Sequence, residues 1–498
     1  MVRETTSESP EVNFDLADPH PDALIESLRS FGYTPSAAVA DLVDNSITAG
    51  ASTIKIQMHW DGEDSWLSIL DDGSGMNKDE LVSAMRAGSQ HPSVKRADHD
   101  LGRWGLGLKT ASFSACRSLT VVTKSKNEPK VSRRWNLDHV NKTKQWQLLH
   151  DPTEIAEQES RVLDDAEHGT LIVWELMDLL RASDDTEDAT GRDHFFSTAN
   201  EIEKHISMVF HRFMKNPQKI EFWLNESKLS PWDPFLQEQS ATQIVAHEQL
   251  PSSPNVEVTA FVLPHVSKIT PEIHSNGSGQ RGWNAHQGLY IYRNRRMIVD
   301  GSWLDLPFKQ EEHYKLARIM VDLPNSSDQT WKLDAKKSTV SIPAQVLPDL
   351  IRLARVTRSE AQAVFRHRTQ QKSRNASNKF TSVWKVTSRQ GGRPTYRLDR
   401  SHPILANLID TTDRDVADLA ITVIEQSLPV QQIWIDSSDH PDQDVKPFEN
   451  VSNTKPVEVM NNVRNAFIDK NGDDLETATS RLVAMDVFRD HAHLLGID

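Results

Sequence analysis

Apolar residues first recur at helical spacing at Val39, Leu42, Val43 and Ile47. Thr34 can cap that run, Pro35 suits its first turn and Gly50 stops it, which predicts a helix with one core face. On another face Asp41 and Asn45 stand one turn apart. A shorter helix is expected over Pro21–Arg29. The period then falls to two: Thr53–Met58 and Trp66–Leu70 read as strands, the second running into Asp71-Asp72-Gly73-Ser74-Gly75. Asn77, with Glu80 three residues on, is a capping box opening the next helix. Residues 88–104 are polar and broken, and Gly105-Leu106-Gly107-Leu108-Lys109 then opens a small-residue helix through Ala115. Strand-like Leu119–Lys124, a polar stretch, and Leu171–Trp174 after Gly169-Thr170 complete this part.

From about Pro231 the pattern turns β-rich, with strands expected at Val256–Leu263, Gly288–Tyr292, Met297–Val299 and Ala317–Val321. Helical patterning follows from Ala344. The chain divides on this reading into a loose arm over 1–20, an α/β domain over 21–225, a second α/β domain over 226–345, and a mixed, mainly helical region over 346–498. No internal repeat is visible.

Charge narrows the classes. The 498 residues carry 56 basic and 71 acidic side chains, a formal charge of −15. That balance excludes a protein coated in nucleic acid but leaves room for a local basic groove. No run approaches the ~18 consecutive apolar residues of a membrane helix. The polar, acidic start is unlike a secretory signal. The single cysteine, Cys116, can form neither an internal disulfide nor a thiolate zinc site, and is expected to be buried. The 20 histidines show no metal-ligand spacing. A soluble, cytoplasmic protein is the expectation.

Each polar motif has an ordinary reading when taken alone. The Asp-Xaa-Gly-Xaa-Gly at 71–75 is a glycine turn after a strand, 105–109 is a packed helix start, and Asp41 with Asn45 is a solvated pair. Their joint order is more informative. A polar helix motif precedes the strand and glycine turn, then come a long polar loop, a GxGxK helix start and a Gly-Thr entering a strand. That order resembles the GHKL superfamily of ATPases, which takes in gyrase B, the 90-kDa heat-shock chaperone, histidine kinases and MutL. The resemblance is nearer still to MORC-like bacterial ATP-binding proteins, through Asp41-Leu-Val-Asp-Asn-Ser, Asp71-Asp-Gly-Ser-Gly-Met and Gly105-Leu-Gly-Leu-Lys. No P-loop of the form GxxxxGK[ST] is present.

The resemblance implies a two-layer α/β (Bergerat-type) ATPase domain over 21–225 that hydrolyses ATP with Mg²⁺. Asn45 would then supply a neutral oxygen ligand to Mg²⁺. Asp71 would accept from the adenine amino group, which guanine lacks at that position. Gly73 and Gly75, beside Met76, would let backbone approach the base. Gly105, Leu106, Gly107 and Leu108 would offer backbone amides to phosphates at a helix start, with Lys109 adding a point charge. Thr170 would support Asp71 through a hydroxyl and water network. The family usually has glutamate, as the base orienting the attacking water, where this chain has Asp41. Aspartate is one methylene shorter, so a closer backbone, a water relay or slow hydrolysis is implied. The neighbouring Asp44 is expected to make a structural hydrogen bond. Arg86 to Trp104, with His91, Lys95, Arg96 and Arg103, corresponds to the superfamily's ATP lid.

The second domain resembles the split βαβ transducer of these families. Gly288-Leu-Tyr-Ile-Tyr-Arg-Asn-Arg-Arg-Met matches its Asn-Xaa-Arg strand, and Asp334-Ala-Lys-Lys-Ser-Thr-Val matches the loop with the catalytic lysine, where Lys337 fits better than Lys336. A cation there would stabilise charge developing on the γ-phosphate. Residues 352–374 hold seven basic residues against one acidic, and Arg293, Arg295 and Arg296 form a second cluster. These read equally as a DNA-binding channel or as solvated faces. The implied function is an ATP-gated homodimeric clamp, on DNA and in a restriction or anti-phage setting, with operon-encoded protein partners. The alternatives are a chaperone-like ATPase acting on protein clients and a MutL-like repair adaptor. The region after Phe380 carries no legible function.

Overall fold

The computed structural model describes residues 19–30, 32–86, 107–178, 189–215, 219–334, 339–374, 383–387, 395–429, 448, 452, 454–483, 485, 488 and 493–494. Gly105, Leu106, Lys336, Lys337 and the lid residues 87–104 lie outside them. The chain divides into a unit over 1–362 and a unit over 363–498.

The first unit opens with α1 (Pro21–Arg29) and α2 (Pro35–Thr48). Thr34 caps α2 by accepting from the Ala37 N–H, and the helix ends just before Gly50. Strands β1 (Thr53–His59) and β2 (Trp66–Asp71) follow, then α3 (Lys78–Met85) behind the expected Asn77–Glu80 capping box. Next come α4 (Gly107–Phe113), β3 (Ser118–Lys124), β4 (Val131–Asn136), α5 (Leu137–Thr143), α6 (Glu154–Glu159) and α7 (Val162–Asp165). The series ends with β5 (Gly169–Glu175), α8 (Ala189–Val209), β6 (Glu221–Leu224) and β7 (Ser227–Lys228).

These strands form a seven-stranded sheet in the order β4-β3-β5-β2-β1-β6-β7. Every pairing is antiparallel except β1 with β6. Alternation along β5 explains how the sheet is covered. Ile172 and Trp174 join the main core with Val39, Leu42 and Val43 of α2 and Phe113 of α4. Leu171 and Val173 point the other way, into a small core with Ala156 and Leu163 of α6 and α7. The family's helices were expected on one face only; α6 and α7 cover part of the second.

A five-stranded sheet follows in the same unit. Its strands are β8 (Gln243–Leu250), β9 (Ser253–Val262), β10 (Gly288–Arg293), β11 (Arg296–Ser302) and β12 (Ala317–Leu323). Helices α9 (Pro271–Gly277) and α10 (Gly282–Ala285) lie between β9 and β10 in the chain, and α11 (Leu347–Arg374) comes after β12. The order is β11-β10-β12-β9-β8, with β10 and β12 parallel. Phe261, Tyr290, Tyr292 and Met297 belong to the same hydrophobic cluster as the α2 and α8 residues, so one continuous core joins the two sheets. At that junction the Tyr292 hydroxyl lies 2.9 Å from Nε2 of His211, whose burial holds the imidazole well below its ordinary pKa.

The second unit contains the antiparallel pair β13 (Trp384–Thr387) and β14 (Thr395–Leu398). Its helices are α12 (Pro403–Thr411), α13 (Arg414–Gln426), α14 (Thr454–Asn471) and α15 (Leu475–Val483). Met460, Val463, Phe467, Ala478 and Leu482 form its core. No helix among the described residues is long and apolar enough to cross a membrane.

Candidate functional site

The strand β2 delivers Asp71 to the sheet edge directly opposite Thr170 of β5, and Thr170 faces Thr123 of β3. Asp71 is buried. Its Oδ2 accepts from the Ser46 hydroxyl at 2.7 Å and its Oδ1 from the Gly73 N–H at 2.9 Å. Burial raises the Asp71 pKa above the ordinary carboxylate value, and the two donors oppose that shift. Thr123 gives its hydroxyl proton to the Gly169 carbonyl at 3.1 Å. It can therefore accept from the Met76 N–H and from the Thr170 hydroxyl, each at 3.0 Å. His168 donates through Nδ1 to the Gly73 carbonyl at 2.7 Å. A buried carboxylate, a hydroxyl pair and a pinned glycine loop thus meet at one edge.

The glycines of that loop also fit close protein neighbours. A Cβ on Gly75 would lie 1.9 Å from the Lys124 carbonyl oxygen, and the residue has φ +65°. A Cβ on Gly73 would lie 2.8 Å from the Ala49 Cβ. The loop is held against the end of α2, where the Ser74 N–H donates to the Ala49 carbonyl at 2.9 Å. Met76 packs partly buried against the main core, as does Leu108.

On α2, Asp41 is buried and Asn45, one turn later, is exposed. The Tyr33 hydroxyl donates to Asp41 Oδ2 at 2.9 Å. A Cβ on Gly107 would lie 3.6 Å from the same oxygen, so the carboxylate faces the start of α4. Burial, and then the Asp41 charge, raise the Tyr33 pKa above its ordinary value, with a smaller contribution from Asp334. Asp334 also closes the loop that holds Lys336 and Lys337, accepting from the Thr339 N–H at 3.0 Å. Lys109 departs from expectation. It is 2% exposed, and its Nζ donates to the Ala84 carbonyl at 2.9 Å, in the last turn of α3. Burial lowers its pKa to about 8. Its charge complements the carbonyl end of that helix where an open cation on the phosphates was expected.

Asp44 takes the structural role expected of it. Its carboxylate receives the Arg296 Nε of β11 at 2.8 Å, with both side chains essentially sealed from solvent. Arg293 pairs with Asp328 at 2.8 Å, and Arg295 donates to the Arg212 carbonyl and lies over the Phe213 ring. Arg293 and Arg296 are therefore buried and paired, and Arg295 is half-buried over a ring. In 352–374, Arg352 pairs with Glu248, and Arg358 is buried over the Tyr314 ring at 3.7 Å. Arg355 is exposed, and the side chains of 366–374 lie outside the described ones. Cys116 is buried, which pushes its thiol pKa well up.

Sequence reasoning passed over Ser46, Thr123, His168 and Tyr33, and read Arg296 only as part of a basic cluster. Ser46 was in reach as the residue following Asn45 in the matched motif. Thr123 is one of several polar residues in β3, and nothing local distinguishes it from Thr120. Tyr33 and Arg296 carry no local signal, because their partners come from other elements.

Residues 33–170 match the family of histidine kinase-, DNA gyrase B- and HSP90-like ATPases. The ATPase morc-1 of Caenorhabditis elegans is 34% identical over 100 residues, 20% of this chain and 11% of that protein. The DNA mismatch repair protein MutL of Paramagnetospirillum magneticum is 33% identical over 104 residues, 21% of this chain and 16% of that protein. The DNA mismatch repair protein PMS1 of Arabidopsis thaliana is 36% identical over 110 residues, 21% of this chain and 11% of that protein. The match spans 11–16% of the length of these relatives. The family match, residues 33–170, takes in Asp41 of α2, Asp71 of β2 and Thr170 of β5. That domain is similar to the histidine kinase-, DNA gyrase B- and HSP90-like ATPases over residues 33–170.

Proposed function

We propose that the chain binds and hydrolyses ATP with Mg²⁺ and works as a nucleotide-gated dimeric clamp, with DNA as its partner. The observation that carries this reading is the buried Asp41 carboxylate, facing the backbone of Gly107 on the same helix as exposed Asn45. Asp71 recognises the adenine amino group, and the Thr123–Thr170 pair fixes the adjoining strand ends. Asp41 orients a water for attack on the γ-phosphate. Gly105 and Gly107 offer backbone amides to the phosphates. Asn45 fits Mg²⁺ as a neutral oxygen donor that leaves room for phosphate oxygens and water. When bound there, the ion would neutralise charge on the phosphates. Lys337, from the loop that Asp334 closes, steadies the γ-phosphate and makes closure of residues 226–345 depend on it. The aspartate in place of glutamate makes slow turnover the expectation.

ATP turnover by the full chain tests the assignment. Asp41→Ala should lose hydrolysis by about 100-fold or more while keeping nucleotide binding. Lys337→Ala should also slow hydrolysis. Unchanged turnover in either variant removes that residue from the mechanism.

The internal pairing of Arg293, Arg296 and Arg358 favours a second reading, in which the clamp closes on a protein client or acts as a repair adaptor. Duplex DNA separates the two. A DNA clamp should show salt-dependent binding and DNA-altered ATPase, both weakened by charge reversal within 352–374. A restriction or anti-phage role rests on family resemblance alone and follows only if DNA is bound.

A further inference from the structure

Tyr33 stands two residues before α2, next to its cap Thr34, and belongs to none of the four nucleotide motifs. Its hydroxyl nevertheless ends at the Asp41 carboxylate, 2.9 Å from Oδ2. The Thr110 hydroxyl of α4 is a second hydrogen-bond partner of the same phenol, and the Asp334 charge acts on it as well. One phenol therefore touches the helix of the proposed base and the helix that begins at Gly107. A cavity of about 240 Å³ borders the ring, lined in part by Arg29, Gly32, Pro35, Ala38 and Ser114. On its other side the ring packs partly buried against the main hydrophobic core, which holds the hydroxyl at the carboxylate.

We propose that Tyr33 is a positioning residue for ATP hydrolysis, holding the Asp41 carboxylate in the rotamer that faces the Gly107 backbone. This rests on the reading of Asp41 as the water-orienting base. A buried carboxylate needs donors, and an aspartate on a helix can turn about two torsions. A carboxylate offers about four acceptor sites, so one bond from Tyr33 fixes its direction without exhausting its capacity to accept from a water. The aspartate is shorter than the family's glutamate, so a small rotation moves its oxygens out of line with the phosphates. The phenol prevents that rotation. Through Thr110 it also makes the orientation depend on α4.

The test compares wild type, Tyr33→Phe, Asp41→Asn and the double variant, as full chains with Mg²⁺ and ATP. Binding of a non-hydrolysable ATP analogue is measured by calorimetry. Tyr33→Phe should lower kcat about 10-fold, the size of one hydrogen bond to a charged group, with KM and analogue affinity within about twofold. In the Asp41→Asn background the same change should move the residual rate by less than about twofold, because the two residues act as one unit. Three results overturn the assignment of Tyr33 while Asp41→Asn is inactive. They are an unchanged kcat in Tyr33→Phe, an equal fall in analogue affinity, and an undiminished effect in the double variant. Wild-type turnover in Asp41→Asn removes the reading of Asp41, and the proposal falls with it.

Discussion

Asp71 and Asp41 face the same side of the seven-stranded sheet, yet they are held by different parts of the chain. Asp71 takes its donors from Ser46 and Gly73, both within the motif segments, at 2.7 and 2.9 Å. Asp41 takes a donor from Tyr33, outside the motifs, and its helix is tied through Asp44 to Arg296 on the five-stranded sheet. The carboxylate proposed for the adenine side is thus organised by the first sheet alone, and the one proposed for hydrolysis is tied partly to the second. A change in the five-stranded sheet should therefore disturb hydrolysis before it disturbs base recognition.

The largest expected effect tests the tie between the sheets. Asp44→Ala strands the Arg296 guanidinium at a site where that side chain is 4% exposed. Removing one partner of a buried pair costs about 3–5 kcal/mol, so thermal and urea denaturation of the full chain should show a large loss of stability. The double variant Asp44→Ala/Arg296→Met should recover much of it, because no buried charge is left unpaired. A loss below about 1 kcal/mol in Asp44→Ala would mean that the pair does not hold the sheets together.

Asp71→Asn attacks the other side and should leave the tie intact. The amide keeps an oxygen for the Gly73 N–H but presents an N–H where the adenine amino group would donate. A site built around one hydrogen-bonding polarity rejects its reversal strongly, so ATP affinity should fall by about 100-fold or more in calorimetry. The melting profile should change far less than that of Asp44→Ala. Equal affinity for ATP in Asp71→Asn would remove Asp71 from base recognition.

The sequence carried the elements whose stabilising contacts are local. α2 was legible because Thr34, Pro35 and the Val39–Ile47 spacing lie within it, and α3 because Asn77 and Glu80 cap each other. Strands β1, β2, β3 and β5 follow from β-branched alternation next to glycine turns. The stretch between β3 and β5 reads as polar because β4 and α5 to α7 bury only scattered residues, such as Trp135, Val140, Ala156 and Leu163. The long helix α8 was passed over, although Phe195, Ala199, Ile202 and Ile206 repeat at helical spacing and are buried. At the site, Asp41, Asn45, Asp71 and Thr170 were readable from their order. The donors that orient them were not, since Tyr33–Asp41 and Asp44–Arg296 depend on tertiary placement. The basic cluster at 293–296 misled for the same reason: Asp44 and Asp328, its buried partners, are distant in sequence.

The smallest effect separates a hydroxyl of the site from a hydroxyl of the scaffold on one strand. Thr120 and Thr123 are both fully buried in β3. Thr123 serves Met76, Gly169 and Thr170, whereas the Thr120 hydroxyl has no hydrogen-bond partner among the described residues. Valine replaces the hydroxyl with a methyl of similar size, so packing is nearly conserved. Thr123→Val leaves the Met76 N–H and the Thr170 hydroxyl without their acceptor and should cost about 1 kcal/mol, read as roughly fivefold weaker ATP binding. Thr120→Val removes an unsatisfied buried group and should leave stability equal or slightly higher, with ATP affinity unchanged. If both variants weaken binding alike, β3 acts on the nucleotide through strand packing. The distinction between a locally organised adenine side and a hydrolytic side built from two sheets would then have to be redrawn around the whole strand.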